Sequence, residues 1–274
     1  VLGLDEETGK VIHPEADPDN NVDAYFGKRL IGGGHTSIEA PYILYDEEAG
    51  YYYLYVSYGS LTRMGGYQIR VFRSDKVDGE YVDMNGQKPE LGNGNHSYFG
   101  LKLSGNYMLP SLDMAYMATG HNSAFIDDDG KKYIVYHTRF DNGTEYHEPR
   151  VHQYLLNEDK WPCMLPYATS GETVPETGYE TSEVAGEYYV INQGTAIDSQ
   201  IAEPFKLILT EKGNVYGDKI TGTWEVKDGS YYITIEYGKT EYKGVLCKMN
   251  DEAQTEVMTF SAVGNNQSIW GVKY

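Results

Sequence analysis

The sequence predicts an all-β chain in which antiparallel meanders of the propeller-blade kind precede a small closed barrel or sandwich. Three observations carry that prediction. Short tyrosine-rich segments alternate with turns rich in glycine, aspartate and asparagine along most of the chain. A strand, an acidic turn and a second tyrosine-rich strand recur in the same order within the first half, the mark of repeated blades. No helix of length is evident anywhere.

Taken in order, Val1-Leu2-Gly3-Leu4 followed by Asp5-Glu6-Glu7-Thr8-Gly9 reads as a strand end running into a turn. With no initiator methionine, the chain is expected to begin inside a folded unit whose upstream part is missing. Residues 13–34 are polar and turn-rich, with Pro14, Asp17-Pro18 and Asn20-Asn21, and are expected to form a long surface loop. Their aspartates lack the glycine and closing glutamate of a helix-loop-helix calcium site. Strands follow at 40–45, 51–58 and 67–74, the first two joined by the turn at 46–50. The pattern returns with a strand at 122–126, the turn Asp127-Asp128-Asp129-Gly130 and a second strand at 132–137, after a long loop at 85–120. Arg150-Val151-His152-Gln153-Tyr154 then answers Arg70-Val71-Phe72-Arg73. This alignment sets Asn122 where Glu39 stands, both opening an innermost strand at one mouth of a central channel, with His121 alongside.

Between residues 161 and 183 the pattern dissolves into Pro, Gly, Thr, Ser and Glu, which predicts a propeller unit over 1–165, a linker over 166–182 and a second β-unit over 183–274. Seven strands are expected there, at 187–192, 205–210, 222–226, 231–237, 240–248, 255–263 and 268–272, a spacing that fits a barrel or a sandwich.

Composition narrows the function. A length of 274 residues allows two domains or one large β-unit. Lys and Arg total 22 against 41 Asp and Glu, a formal charge of −19, which disfavours nucleic acid and anionic membranes and admits a neutral ligand. The 27 tyrosines offer flat apolar rings with a hydroxyl handle, suited to sugar faces as well as to half-buried strands. Cys163 and Cys247 are far apart and form no metal-spaced pair or disulfide framework. No apolar run reaches a membrane span, and no signal peptide opens at Val1. There is no Gly-x-Ser-x-Gly elbow, and Gly32-Gly33-Gly34 lacks the lysine and helix of a phosphate loop. His137, His147 and His152 fit no common zinc spacing and read as strand and loop residues.

Glu39 is the leading candidate for chemistry. It stands among Ile38, Ala40 and Pro41, and burial of that kind raises a carboxyl pKa until the group can serve as a general acid. Pro41 confines the strand to an edge, a start or a bulge, since proline cannot donate to a ladder. Spacing alone leaves open a strand-end glutamate with no catalytic role.

A resemblance sharpens this reading. Gly34-His35 through Leu44, with residues 51–59, Ile69-Arg70-Val71 and Arg73-Ser74, resembles the third-carboxylate region of glycoside hydrolase family 43, and within it the arabinan endo-1,5-α-L-arabinosidases. Gly120-His121-Asn122-Ser123 with Tyr136-His137-Thr138-Arg139-Phe140 resembles their calcium-site histidine and the strand after it. Gly222-Thr223-Trp224 to Trp270-Gly271 resembles the β-barrel domain that some of them carry at the C-terminus. The three signatures fall in the family's order and touch both halves of the chain.

What the resemblance implies is a five-bladed β-propeller, of which roughly the last three blades are present, followed by the barrel. It implies inverting hydrolysis of α-1,5-linked L-arabinan by an aspartate base, a second aspartate that tunes and orients, and a glutamate acid that Glu39 matches. Such a mechanism sets acid and base roughly 6.5–9.5 Å apart so that a water fits between them. Neither aspartate has a matching motif here: Asp17 and Asp19 lie in the early loop, while residues 1–10 resemble the strand just downstream of the second aspartate. The base is therefore expected from an N-terminal propeller segment or a second chain. The resemblance further implies calcium at His121, with water filling most of the shell because calcium prefers oxygen. Tyr42, Tyr58 and Asn122 are expected in the sugar cleft, and the protein is expected outside the cell. A catalytically incomplete carbohydrate-binding fragment, with the barrel as interaction module, is the competing expectation, as is an exo-arabinanase or xylosidase on the same fold.

Overall fold

The computed structural model describes residues 1–33, 36–89, 91, 96–217 and 220–274. Gly34 and His35, on the approach to Glu39, lie outside the described residues. The chain begins with two short ribbons, β1 (Gly3–Leu4) with β2 (Val11–Ile12) and β3 (Val22–Asp23) with β4 (Gly27–Lys28). Two four-stranded meanders follow. The first contains β5 (Ile38–Asp46), β6 (Tyr51–Tyr58), β7 (Gln68–Ser74) and β8 (Leu101–Ser104) in sequential order. The second contains β9 (Tyr116–Ile126), β10 (Lys132–Phe140), β11 (His147–Leu156) and β12 (Pro162–Met164). Residues 1–33 form these two ribbons and no four-stranded sheet.

The two meanders repeat one irregularity. Glu39 pairs with Ser57 and Tyr42 with Tyr55, so β5 carries one extra residue at Ala40–Pro41. Gly120 pairs with His137 and Ser123 with Val135, so β9 carries the same extra residue at His121–Asn122. Ala40 and His121 both adopt positive φ, +50° and +53°. This register corrects the alignment drawn from sequence: Glu39 corresponds to Gly120, and Asn122 to Pro41. A bulge adds a residue without leaving a mark in the apolar pattern, so matching by residue type slides the alignment by two positions. Pro41 sits as a ladder requires, in a bulge on the edge strand of its sheet.

After a four-residue helix, α1 (Thr181–Val184), comes a closed eight-stranded barrel. Its strands are β13 (Gly186–Asn192), β14 (Phe205–Leu209), β15 (Asn214–Gly217), β16 (Ile220–Val226), β17 (Tyr232–Tyr237), β18 (Thr240–Asn250), β19 (Glu256–Gly264) and β20 (Gln267–Lys273), with β20 pairing back onto β13. Within the barrel, β15 is the strand that pattern reading misses: it has four residues, begins with Asn and ends with Gly. In the sheets, β8 lies inside the segment expected to be a long loop, and β12 has only three residues.

One apolar core spans both sheets and the barrel, beside a second inside the barrel and a smaller one against the first sheet. Trp270 of β20 is fully buried, its ring 5.0 Å from that of Tyr107 and 6.3 Å from that of His152. Fully buried Arg70 clasps a barrel loop by donating to the Thr195 carbonyl, while Gln68 and Lys102 each donate to the Ala196 carbonyl at 3.0 Å. Among the described residues no helix is long and apolar enough to cross a membrane. Both cysteines are buried and unpaired.

Candidate active site

The bulges of β5 and β9 face each other, and the candidate site lies where they meet. Half-buried Glu39 leaves the first bulge. The Tyr67 hydroxyl donates to Glu39 Oε1 at 2.7 Å and lies 3.4 Å from His121 Nδ1. Burial, and then the bond to Glu39, push the Tyr67 hydroxyl pKa well above the usual tyrosine range, so it keeps its proton and acts as a donor.

Ser57, the register partner of Glu39, ties the two bulges together. Its hydroxyl accepts from the His121 backbone N–H at 2.8 Å and donates to Asn122 Oδ1 at 3.0 Å. The left-handed turn at His121 is what aims that N–H across the gap. A non-glycine residue held there costs about 1–3 kcal/mol, which persists only where surrounding contacts enforce it.

Under Tyr67 runs a column of rings. His137, the register partner of Gly120, stacks on Tyr67 at 5.7 Å and on His121 at 6.2 Å, with His147 tilted against it at 5.2 Å. Burial, followed by the positive neighbours Arg139, His147 and His121, lowers the His137 pKa to about 4. Its imidazole is therefore neutral at neutral pH. Gly120 makes the column possible, since a Cβ there would lie 2.3 Å from the Tyr67 ring. At the rim Arg139 Nε donates to Glu145 at 2.8 Å and Arg63 Nη1 to Asp141 at 2.9 Å.

Of the residues singled out from sequence, Glu39 and His121 are brought together through Tyr67. Asn122 is buried and supports Ser57 rather than facing outward. Tyr58 is fully buried with the Arg70 guanidinium 5.0 Å from its ring, so no face of it is left for a sugar. Tyr42, 38 % exposed, is the candidate whose ring solvent can reach. Sequence reasoning misses Tyr67, Ser57 and Gly120. The pair Gly65-Gly66 before Tyr67, and Gly120 before His121, are the available signals of close backbone approach.

Calcium takes six to eight oxygen ligands. The described residues around His121 provide the Tyr67 hydroxyl and the Glu39 carboxylate beside one imidazole, and no group of three or more His, Cys, Asp or Glu among them is placed to hold a metal. That donor set does not by itself fit a calcium ion, and no step below runs through one.

Residues 166–271 match the C-terminal lipocalin-like domain of glycoside hydrolase family 43. The whole chain is 39 % identical over 289 residues to an extracellular endo-α-(1→5)-L-arabinanase of Thermotoga petrophila, covering 58 % of it. It is 38 % identical over 264 residues to extracellular endo-α-(1→5)-L-arabinanase 2 of Bacillus subtilis, covering 55 % of that protein and 90 % of this chain. It superimposes on the crystal structure of the Thermotoga petrophila endo-1,5-α-L-arabinanase with a TM-score of 0.89 at 38 % identity, over 100 % of this chain and 61 % of that one. A family 43 glycoside hydrolase of Bacillus licheniformis gives the same TM-score, 0.89, at 36 % identity, over 99 % and 61 %.

Proposed function

Because the chain belongs to glycoside hydrolase family 43, we propose that it forms part of an inverting endo-arabinanase, with Glu39 as the general acid. The observation that carries this reading is the pairing of Glu39 with Tyr67 at 2.7 Å in the bulge that faces His121. One carboxylate oxygen is fixed by a donor that does not give up its proton. The other makes no hydrogen bond among the described residues and is available to a glycosidic oxygen.

In the proposed reaction Glu39 passes its proton to the leaving sugar oxygen as the glycosidic bond breaks. An aspartate carboxylate on the opposite face takes a proton from the attacking water, and the anomeric configuration inverts. We assign that base, and the aspartate that tunes the acid, to an N-terminal propeller segment on this or a second polypeptide. Each relative extends well beyond the share this chain matches. Five blades, arabinan as substrate and an extracellular location follow from the same reading. Tyr42 is assigned to the sugar cleft. Calcium is a proposal on resemblance alone: its shell at His121 would be mostly water, and calorimetric titration with Ca²⁺ reads it directly.

The test is hydrolysis of linear arabinan by the polypeptide that carries the base-bearing segment, followed by anomeric proton NMR. Inversion is expected, and Glu39→Gln is expected to lower kcat by roughly 10²–10⁴-fold. Arabinan binding with no hydrolysis to lose would instead identify a carbohydrate-binding fragment, and release of single arabinose units from chain ends would identify an exo-acting enzyme.

A further inference from the structure

We propose that the cleft between the second sheet and the barrel is a second carbohydrate site, which holds an uncharged pentose polymer away from the Glu39 mouth. The identification of that polymer with arabinan rests on the function proposed above. The cleft measures about 500 Å³, within the range of small-ligand sites, and draws its walls from both units.

Its base is built in advance. The Tyr116 hydroxyl of β9 donates to Glu252 Oε1, in the turn between β18 and β19, at 3.1 Å, and accepts from Arg150 Nε of β11 at 3.1 Å. The Arg150 guanidinium lies 5.1 Å from the Tyr116 ring and 5.4 Å from the Phe140 ring, and donates to Glu148 at 3.0 Å. These contacts span the seam between sheet and barrel and hold the cleft open without a ligand.

The upper wall holds capacity that the protein does not use. The Asp113 carboxylate forms no hydrogen bond or ion pair among the described residues. Asn142 spends only its Oδ1, on Thr144, and keeps its amide donor, while Glu252 keeps its second oxygen. Met114, 39 % exposed, adds an apolar surface. Acceptor-rich walls beside apolar faces suit a ring with hydroxyls on its edge and C–H groups on its face. Three carboxylates against one arginine turn anions away.

The position makes the second site useful to the first. Phe140 lies three residues beyond His137 on β10, and Tyr116 five residues before His121 on β9, so the cleft floor is roughly 10–16 Å along the same strands from the ring column. A polymer that crosses the mouth can run on into the cleft. Holding it at both points raises the local concentration of scissile bonds for long chains only.

Two variants of exposed residues test this. Asp113→Ala combined with Asn142→Ala removes the unused polar groups, and Ala253→Trp fills the cleft from the β18–β19 turn, with thermal melting confirming that each folds. On polymeric arabinan, kcat/KM is expected to fall roughly tenfold in both, with no change on a short arabino-oligosaccharide. In a Glu39→Gln background, calorimetry with a long arabino-oligosaccharide is expected to lose one of two binding events. Unaltered polymer kinetics and unaltered stoichiometry in both variants would overturn the proposal while leaving the arabinanase reading intact. Binding that both variants weaken, in a polypeptide that carries the base-bearing segment yet hydrolyses no arabinan, would uphold the cleft and sink that reading; no binding at all sinks both.

Discussion

In the first sheet the bulge carries Glu39 ahead of left-handed Ala40; in the second, the same bulge carries Gly120 ahead of left-handed His121. The backbone is repeated and the cargo is not. One copy presents a carboxyl group, and the other presents empty space, which the Tyr67 ring fills to reach that carboxyl group. The flanking positions diverge likewise. Ser57 of one sheet corresponds to His137 of the other, and Phe72 to His152. Arg70 is sealed against a barrel loop, whereas its counterpart Arg150 lines an open cleft. The difference teaches that this site comes from asymmetry laid over a symmetric frame, so the sharpest experiments alter one copy and leave the other alone.

The largest expected effect is at the acid itself. If only the first bulge carries chemistry, Glu39→Gln should lose most of its roughly 10²–10⁴-fold on natural arabinan but far less on an aryl arabinoside, whose leaving group needs little protonation. Equal losses on both substrates would reduce Glu39 to a structural part of the bulge.

Next comes acid sensitivity, which belongs to the second sheet. Burial lowers the His152 pKa to about 4, and the ring bonds to the Leu165 carbonyl at 2.7 Å and to the Tyr136 hydroxyl at 3.0 Å. The folded value lies below the unfolded one. The His152 contribution to stability is therefore fully present above about pH 6.5 and falls toward pH 4 as the unfolded chain binds a proton that the fold refuses, a loss on the order of 3 kcal/mol. His152→Phe installs the residue of the first sheet. It should be less stable at neutral pH, because two polar partners are stranded, yet show a flatter pH dependence of its urea midpoint. His137 adds to the wild-type loss in the same direction.

Gly120→Ala sharpens the comparison at the next scale. The added Cβ meets the Tyr67 ring, and such overpacking costs about 1–3 kcal/mol, with activity falling as Tyr67 leaves Glu39. Alanine in the matching place of the first sheet, Glu39→Ala, should leave stability nearly unchanged. Tyr67→Phe is the mildest change: removing one donor from Glu39 should cost about 1 kcal/mol in transition-state binding and displace the alkaline limb of the pH–rate profile, on which a general acid loses its proton. An unmoved limb would show that Tyr67 only fills space.

The all-β class, the repeat and the acid are legible because they are written locally. Alternating tyrosines, acidic turns and a glutamate before a proline all sit within a few residues of one another. Seven of the barrel strands are legible for the same reason, while β15 is too short for its pattern to stand out. Register is not legible, since a bulge shifts pairing by one residue and leaves composition untouched. Nor is the direct partner of Glu39, because Tyr67 reaches it across 28 residues and in turn meets His121 of the other sheet. Tyr58 and Asn122 read as cleft residues because an aromatic ring or an amide beside a mouth looks the same in sequence whether it faces in or out. Only packing decides.

Trp270, lodged between Tyr107 and His152, belongs by sequence to the barrel and by contact to the sheets. Heat should find no weak joint at that seam: one sharp transition is the natural outcome, and a protease should gain little by cutting the segment between the units until both have already come apart. A chain divided there would leave an indole stranded in water on one half and an unfilled hollow on the other, so its loss of activity would say nothing about which half had been doing the chemistry.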